Sequence, residues 1–275
     1  MKNQTFGIEL EMNGILRTKA AAVIAAHFGT TPSVPDHGCY RTQTICMPDG
    51  RVWKVMRDSS IPGPDDEKTE VVSPICRWED IETVQALVRA LRKAGAKTAP
   101  AHCGIHVHIG LGSHTPRTLR NLVNIINAKE DLLTQALAID PERRACWCRP
   151  VDQVFLTRMN LTKPQTMEAL AKLWYDSSDW QWHASQHYDG SRYRLLNLHA
   201  VWQKGTMHLL PGLRYLLLHN HPGPPEIVQS GCDPLLECIP FLRLLLWLSL
   251  LVLYHIFYFS TASPVVFGQS ARGNL

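Results

Sequence analysis

Phe6-Gly7-Ile8-Glu9-Leu10-Glu11-Met12 alternates strictly between apolar and other residues. Phe6, Ile8, Leu10 and Met12 point one way, and Gly7, Glu9 and Glu11 the other, which is the period of a strand with one buried face. The same period returns downstream. Ile105, Val107 and Ile109 alternate with His106 and His108, and Leu196 and Leu198 with Leu195, Asn197 and His199. Val52 to Met56 and Val71-Val72 are shorter strand candidates.

Between these strands the period changes to that of helices. Apolar residues recur at Ile81, Val84, Leu87, Val88 and Leu91, and Gly95 suits the end of that helix. Thr115 followed by Pro116 reads as an N-cap with proline in the first turn, ahead of a stripe through Leu119, Leu122, Val123 and Ile126. Thr18 to Phe28 and Lys163 to Trp174 are further helix candidates. Strands with polar faces, separated by helices, predict an α+β fold in which one sheet face packs on helices and the other lines an open cleft.

Composition places limits on function. The net charge is +4, with no run of Lys or Arg that would form a basic stripe, so nucleic acid is not an expected partner. Met1 to Thr5 leads into the first strand without an apolar leader, and the 8 cysteines are scattered, so a reducing cytoplasmic compartment is expected. Composition shifts after residue 206. Of 28 basic and 24 acidic residues, only Arg214, Glu226, Asp233, Glu237, Arg243 and Arg272 lie beyond it. Residues 1–206 therefore read as one domain and 207–275 as a Leu- and Pro-rich tail, either frame-changed or divergent sequence or a helix buried against that domain. The tail carries a candidate hydrophobic helix over 244–267, the one segment that would engage a membrane, although its uncharged run is marginal for a span of about 20 residues.

The chemistry-bearing residues sit on the polar strand faces. Glu9 and Glu11 share one face at about 7 Å, close enough to repel, and divalent cations such as Mg²⁺ would relieve the repulsion. An exposed strand face with ordinary surface glutamates is the competing reading. His106 and His108 repeat the geometry with imidazoles between Gly104 and Gly110, suited to a metal or a phosphate oxygen, although paired packing histidines look the same. A zinc site would add Cys103, which a regular strand turns to the opposite face. Lys54, Arg57, Asp58, Ser59 and Ser60 resemble a substrate-binding strand end or a capped turn. Glu70 opens another strand, and Arg192, Arg194 and Asn197 suit phosphate or carboxylate on a strand.

Five segments in this order, Phe6 to Glu11, Trp53 to Ser60, Glu70 to Pro74, Cys103 to Gly110 and Arg192 to Thr206, together resemble the amidoligase family of carboxylate–amine ligases. That family is a distant relative of glutamine synthetase and glutamate–cysteine ligase. The resemblance implies a curved antiparallel sheet whose concave face binds ATP and Mg²⁺, and activation of a carboxylate as an acyl phosphate before amine attack. An amino-acid or peptide carboxylate and an amine are the implied substrates. By position, Glu9, Glu11, Glu70 and His106 resemble metal-binding residues. Lys54, Arg57, Asp58 and Arg192 resemble the catalytic and substrate-side set, and His108, Asn197 and Lys204 the nucleotide-side set. The sequence departs from the family after Thr206. Where the family carries a strand reading roughly Ile-Glu-Phe-Arg, this chain has Met207, His208, Leu209 and Leu210. Losing one electrostatic stabiliser of this kind costs about 10²–10³ in rate, so the resemblance implies an impaired ligase. A catalytically dead nucleotide-binding module, or a zinc hydrolase using His106 and His108, are the alternatives.

Overall fold

A computed structural model describes residues 4–99 and 101–209. Seven antiparallel strands form one open sheet: β1 (Phe6–Met12), β2 (Gln43–Cys46), β3 (Val52–Arg57), β4 (Thr69–Val72), β5 (Ile105–Gly110), β6 (Leu196–Asn197) and β7 (Thr206–Leu209). Their order is β2-β3-β4-β1-β5-β7-β6, so β1 lies at the centre and the sheet is not closed into a barrel.

Register explains why the two faces differ. Val55, Val71, Leu10 and Ile105 pair across four strands, and Ile8, Val107, Leu209 and Leu196 pair in the next apolar row. All but the partly buried Leu209 are almost fully buried. The same hydrophobic core includes Ala20, Ala21 and Ile24 of α1 (Arg17–Phe28), Val84, Leu87 and Leu91 of α2 (Ile81–Lys93), and Leu119, Val123 and Ile126 of α3 (Pro116–Ala136). The predicted helix faces are therefore the buried ones. Thr115 caps α3 as its sequence predicts: its hydroxyl accepts from the Thr118 N–H at 3.3 Å, while Thr118 Oγ1 accepts from the Thr115 N–H at 2.8 Å.

The structure corrects three expectations. The helix expected over 163–174 divides: α5 (Gln153–Thr162) ends at Lys163, held at φ 49°, and α6 (Met167–Tyr175) starts afresh behind the Thr166 cap. Left-handed backbone at Lys163 and a new N-cap three residues on leave no continuous helix. The strand expected over 195–199 is only Leu196–Asn197, because the Asn197 side chain accepts from the His199 N–H at 2.8 Å and turns the chain into α8 (His199–Lys204). Met207, His208 and Leu209, expected to lie in the tail, instead complete β7, which pairs with both β5 and β6. Two further short helices, α4 (Pro141–Cys146) and α7 (Trp180–Ser185), complete the described part. Among the described residues no helix is long and apolar enough to cross a membrane, and the helix proposed over 244–267 lies outside them.

Candidate active site

Pairing register also gathers the polar side chains, because directly opposed residues on antiparallel strands share a face. One row runs Lys54, Val72, Glu9, His106 across β3, β4, β1 and β5. On one side of it lie Met56, Glu70 and Glu11. On the other lie Gly7, His108, His208 and Asn197. His108 and His208, 100 positions apart in sequence, thus meet on neighbouring strands about 5 Å apart.

The repulsion expected between Glu9 and Glu11 is taken up by one imidazole. His106 Nδ1 lies 3.0 Å from Glu9 Oε2 and His106 Nε2 lies 3.2 Å from Glu11 Oε1. His108 Nε2 is 3.2 Å from Glu9 Oε1, and Lys204 Nζ, at the end of α8, is 3.9 Å from the same oxygen. Burial alone would raise the Glu9 carboxyl, but hydrogen bonds and charge from His106 and His108 outweigh it and hold Glu9 well below the usual carboxylate range. Burial likewise opposes charge on His106, yet Glu11 and Glu9 overcome it and raise its affinity for a proton.

Glu70 makes no hydrogen bond to a histidine among the described residues, and His106 lowers it only through space. Burial, reinforced by the negative charge of Glu9, pushes its carboxyl up to about 8. Glu11 is raised too, chiefly by burial, even though Gly104 N–H donates to its Oε2 at 2.6 Å. Asp58, just past β3, closes this end of the face: its Oδ1 accepts from the backbone and hydroxyl of Ser60, both at 2.8 Å.

A cation that the sequence did not single out completes the cluster. Arg143, in α4, is only 2% exposed, and its guanidinium lies 3.9 Å from Glu11 Oε2. It reaches there over Gly104, where a Cβ would fall 1.9 Å from the Arg143 guanidinium nitrogen. The glycines flanking the two histidines signalled a close approach, but nothing in Pro141-Glu142-Arg143-Arg144 separates the buried arginine from Arg144, which pairs with Asp131 at the surface. Gly104→Ala is expected to displace Arg143 and cost about 2 kcal/mol in chemical denaturation.

Other candidates fall elsewhere. Lys54 is on the polar face but exposed and two strands from Glu9, about 10 Å at normal strand spacing. Arg57 pairs in register with the buried Thr69 on the apolar face and donates its Nε–H to Asp65 at 2.6 Å, so alternation carries it away from the carboxylates. Arg192 is not on a strand: it ends a 3-10 turn (Gly190–Arg192) and donates to the His187 carbonyl. Asn197 is buried and committed to protein partners, the His199 N–H and the His208 ring. Cys103 joins none of the possible metal-holding groups among the described residues, and burial lifts its thiol to about 11, away from thiolate.

Three such groups do form, each with ligand atoms within 4.8 Å of one another: Glu11, Asp58 and Glu70; Glu9, Glu70 and His106; and Glu9, His108 and His208. They are carried by the polar face of a sheet whose segments follow the order of the motifs in the sequence. Residues 2–209 match the family model described as "Putative amidoligase enzyme". The chain belongs to the amidoligase family. No curated protein matches it. The match ends at Leu209, the last residue of β7, so the strand bearing Met207 and His208 lies within the family region. His208 is buried, its ring stacks on His108 with centroids 4.0 Å apart, and burial followed by the neighbouring His108 and His106 holds it well below the ordinary imidazole range.

Proposed function

We propose that this face is the active site of an ATP- and Mg²⁺-dependent ligase that joins a carboxylate to an amine through an acyl phosphate. The observation that carries the reading is the oxygen-only group Glu11, Asp58 and Glu70. Hard cations such as Mg²⁺ choose carboxylate oxygens, whereas the two groups containing imidazole suit softer ions. The fit is also electrostatic, because Glu70 is driven towards its protonated form by burial and then by neighbouring carboxylates, whose charge a divalent cation would neutralise.

When bound, Mg²⁺ supplies charge neutralisation for the phosphoryl group and for the carboxylate that attacks it. The chain's own residues do the positioning. Arg143 and the Gly104 N–H fix the Glu11 carboxylate, and His106 bridges Glu11 to Glu9. Lys204, half exposed beside Glu9, supplies a mobile positive charge at the rim for phosphoryl oxygens. Amino-acid or peptide carboxylates are the proposed acyl donors. Turnover is expected to be slow, since β7 contributes Thr206, Met207, His208 and Leu209 and neither a carboxylate nor a fixed cation.

Release of ADP from ATP, measured against a panel of amino acids and peptides, tests this. Release that depends on Mg²⁺, on a carboxylate donor and on an amine is the expected outcome, with Glu11→Gln slower by about a hundredfold. Hydrolysis of an amide driven by zinc, without ATP, would assign the site to a hydrolase instead.

A further inference from the structure

The cluster Glu9, His108 and His208 has the composition of a transition-metal site, but its hydrogen bonds argue against that use. Asn197 Oδ1 accepts from the His199 backbone N–H at 2.8 Å. That bond fixes which end of the amide is which, because a rotated amide would set an NH₂ group against an N–H. The Asn197 Nδ2 therefore faces His208 Nδ1, at 3.1 Å. An NH₂ group only donates, so His208 Nδ1 must be the bare, accepting nitrogen, and the ring proton sits on Nε2. A histidine that ligates a metal through Nε2 needs the opposite arrangement, with its Nδ1–H held by an acceptor. His208 Nε2 is buried, and it has no hydrogen-bond partner among the described residues. His208 itself is 3% exposed and stacks on His108, whose Nε2 touches Glu9.

We infer that Asn197 locks His208 as an Nε2–H donor, and that this N–H binds a phosphoryl oxygen of the ligand rather than a metal ion. The choice of a phosphoryl group rests on the function proposed above; the donor assignment rests on Asn197 and His199 alone. Asn197 is then a positioning residue, acting through the tautomer it imposes. A buried N–H without a partner costs free energy until an acceptor arrives, so it favours ligands that bring an anionic oxygen to this row.

Histidine ¹⁵N NMR of the full chain tests the assignment directly, because long-range couplings distinguish the two tautomers. The expected spectrum shows His208 as Nε2–H, with this proton moving downfield on addition of Mg²⁺–ATP and the nitrogen unaffected by Zn²⁺. Asn197→Asp keeps an acceptor for His199 but presents a second acceptor to Nδ1. It should switch the ring to Nδ1–H, weaken binding of the phosphoryl probe about tenfold, and allow Zn²⁺ to shift the His208 nitrogen. His208 as Nδ1–H in the wild type, or Zn²⁺ bound to its Nε2, overturns the inference. If ATP does not bind at all, inorganic phosphate decides. A downfield shift with phosphate keeps the donor while the nucleotide reading fails, and no shift with either probe overturns the donor as well.

Discussion

Glu70→Gln is expected to stabilise the metal-free protein by about 3 kcal/mol at pH 8.5 and to leave it unchanged near pH 4. The reason is the carboxyl raised from 4.5 to about 8 by burial and by Glu9. A group whose folded value lies above its unfolded one holds more protons when folded, so stability falls as pH rises between the two values and is level beyond them. A displacement of that size corresponds to at most 4–5 kcal/mol, and partial solvation of Glu70 reduces it to the figure given. Glutamine keeps the shape and removes the charge, so its unfolding free energy should lose the slope between pH 4.5 and 8. Denaturant titrations at several pH values read this out. Equal pH dependence in the two proteins would mean that Glu70 is not crowded by its neighbours. Mg²⁺ should stabilise the wild type at pH 8.5 and have little effect on the variant.

Glu9→Gln is expected to do the reverse. Glu9 lies on the neighbouring strand, but it touches His106 and His108 and sits near Lys204. Its folded value is depressed, so its contribution is present above the unfolded value of 4.5 and disappears as pH falls. Removing the charge takes a carboxylate contact from both His106 and His108 and leaves His106 with Glu11 alone, which costs about 3 kcal/mol at pH 7. The loss should shrink as pH falls below 4.5, and wild type and variant converge only where the folded Glu9 carboxyl itself takes up a proton. A Glu9→Gln protein as stable as wild type at pH 7 would remove Glu9 from the centre of the cluster. Two glutamates on adjacent strands, with the same side chain and similar burial, thus differ in sign because Glu9 is in direct contact with His106 and His108, whereas Glu70 feels His106 only through space.

Much of this was legible in the chain. Alternation in Phe6–Met12 and Ile105–Gly110 placed Glu9, Glu11, His106 and His108 on polar faces, and the pairing of β1 with β5 puts all four on the same one. Helix stripes and the Thr115 cap were equally local signals. What escaped was decided by tertiary contact. Leu195 to His199 alternates like a strand, but one side-chain hydrogen bond from Asn197 to the His199 backbone turns it into a helix. Arg57 opens a polar run, yet the period of two sends it to the opposite face from Lys54. Arg143 is one of two adjacent arginines, and the space it fills exists only because Gly104, 39 positions earlier, has no side chain. His208 looked like a lost charge because it was judged against the residue it replaces. Its meaning comes from Asn197, which faces it on the edge strand.

The measurement closest to the central claim is calorimetric titration of the 275-residue chain with ATP, in Mg²⁺ and in EDTA, beside Glu11→Gln. Binding in Mg²⁺ that disappears in EDTA and weakens by about a hundredfold in Glu11→Gln is the predicted result, as expected when a ligand atom of the hard-cation group is removed. ATP affinity that is the same in all three titrations would contradict the assignment of this face as a Mg²⁺–nucleotide site.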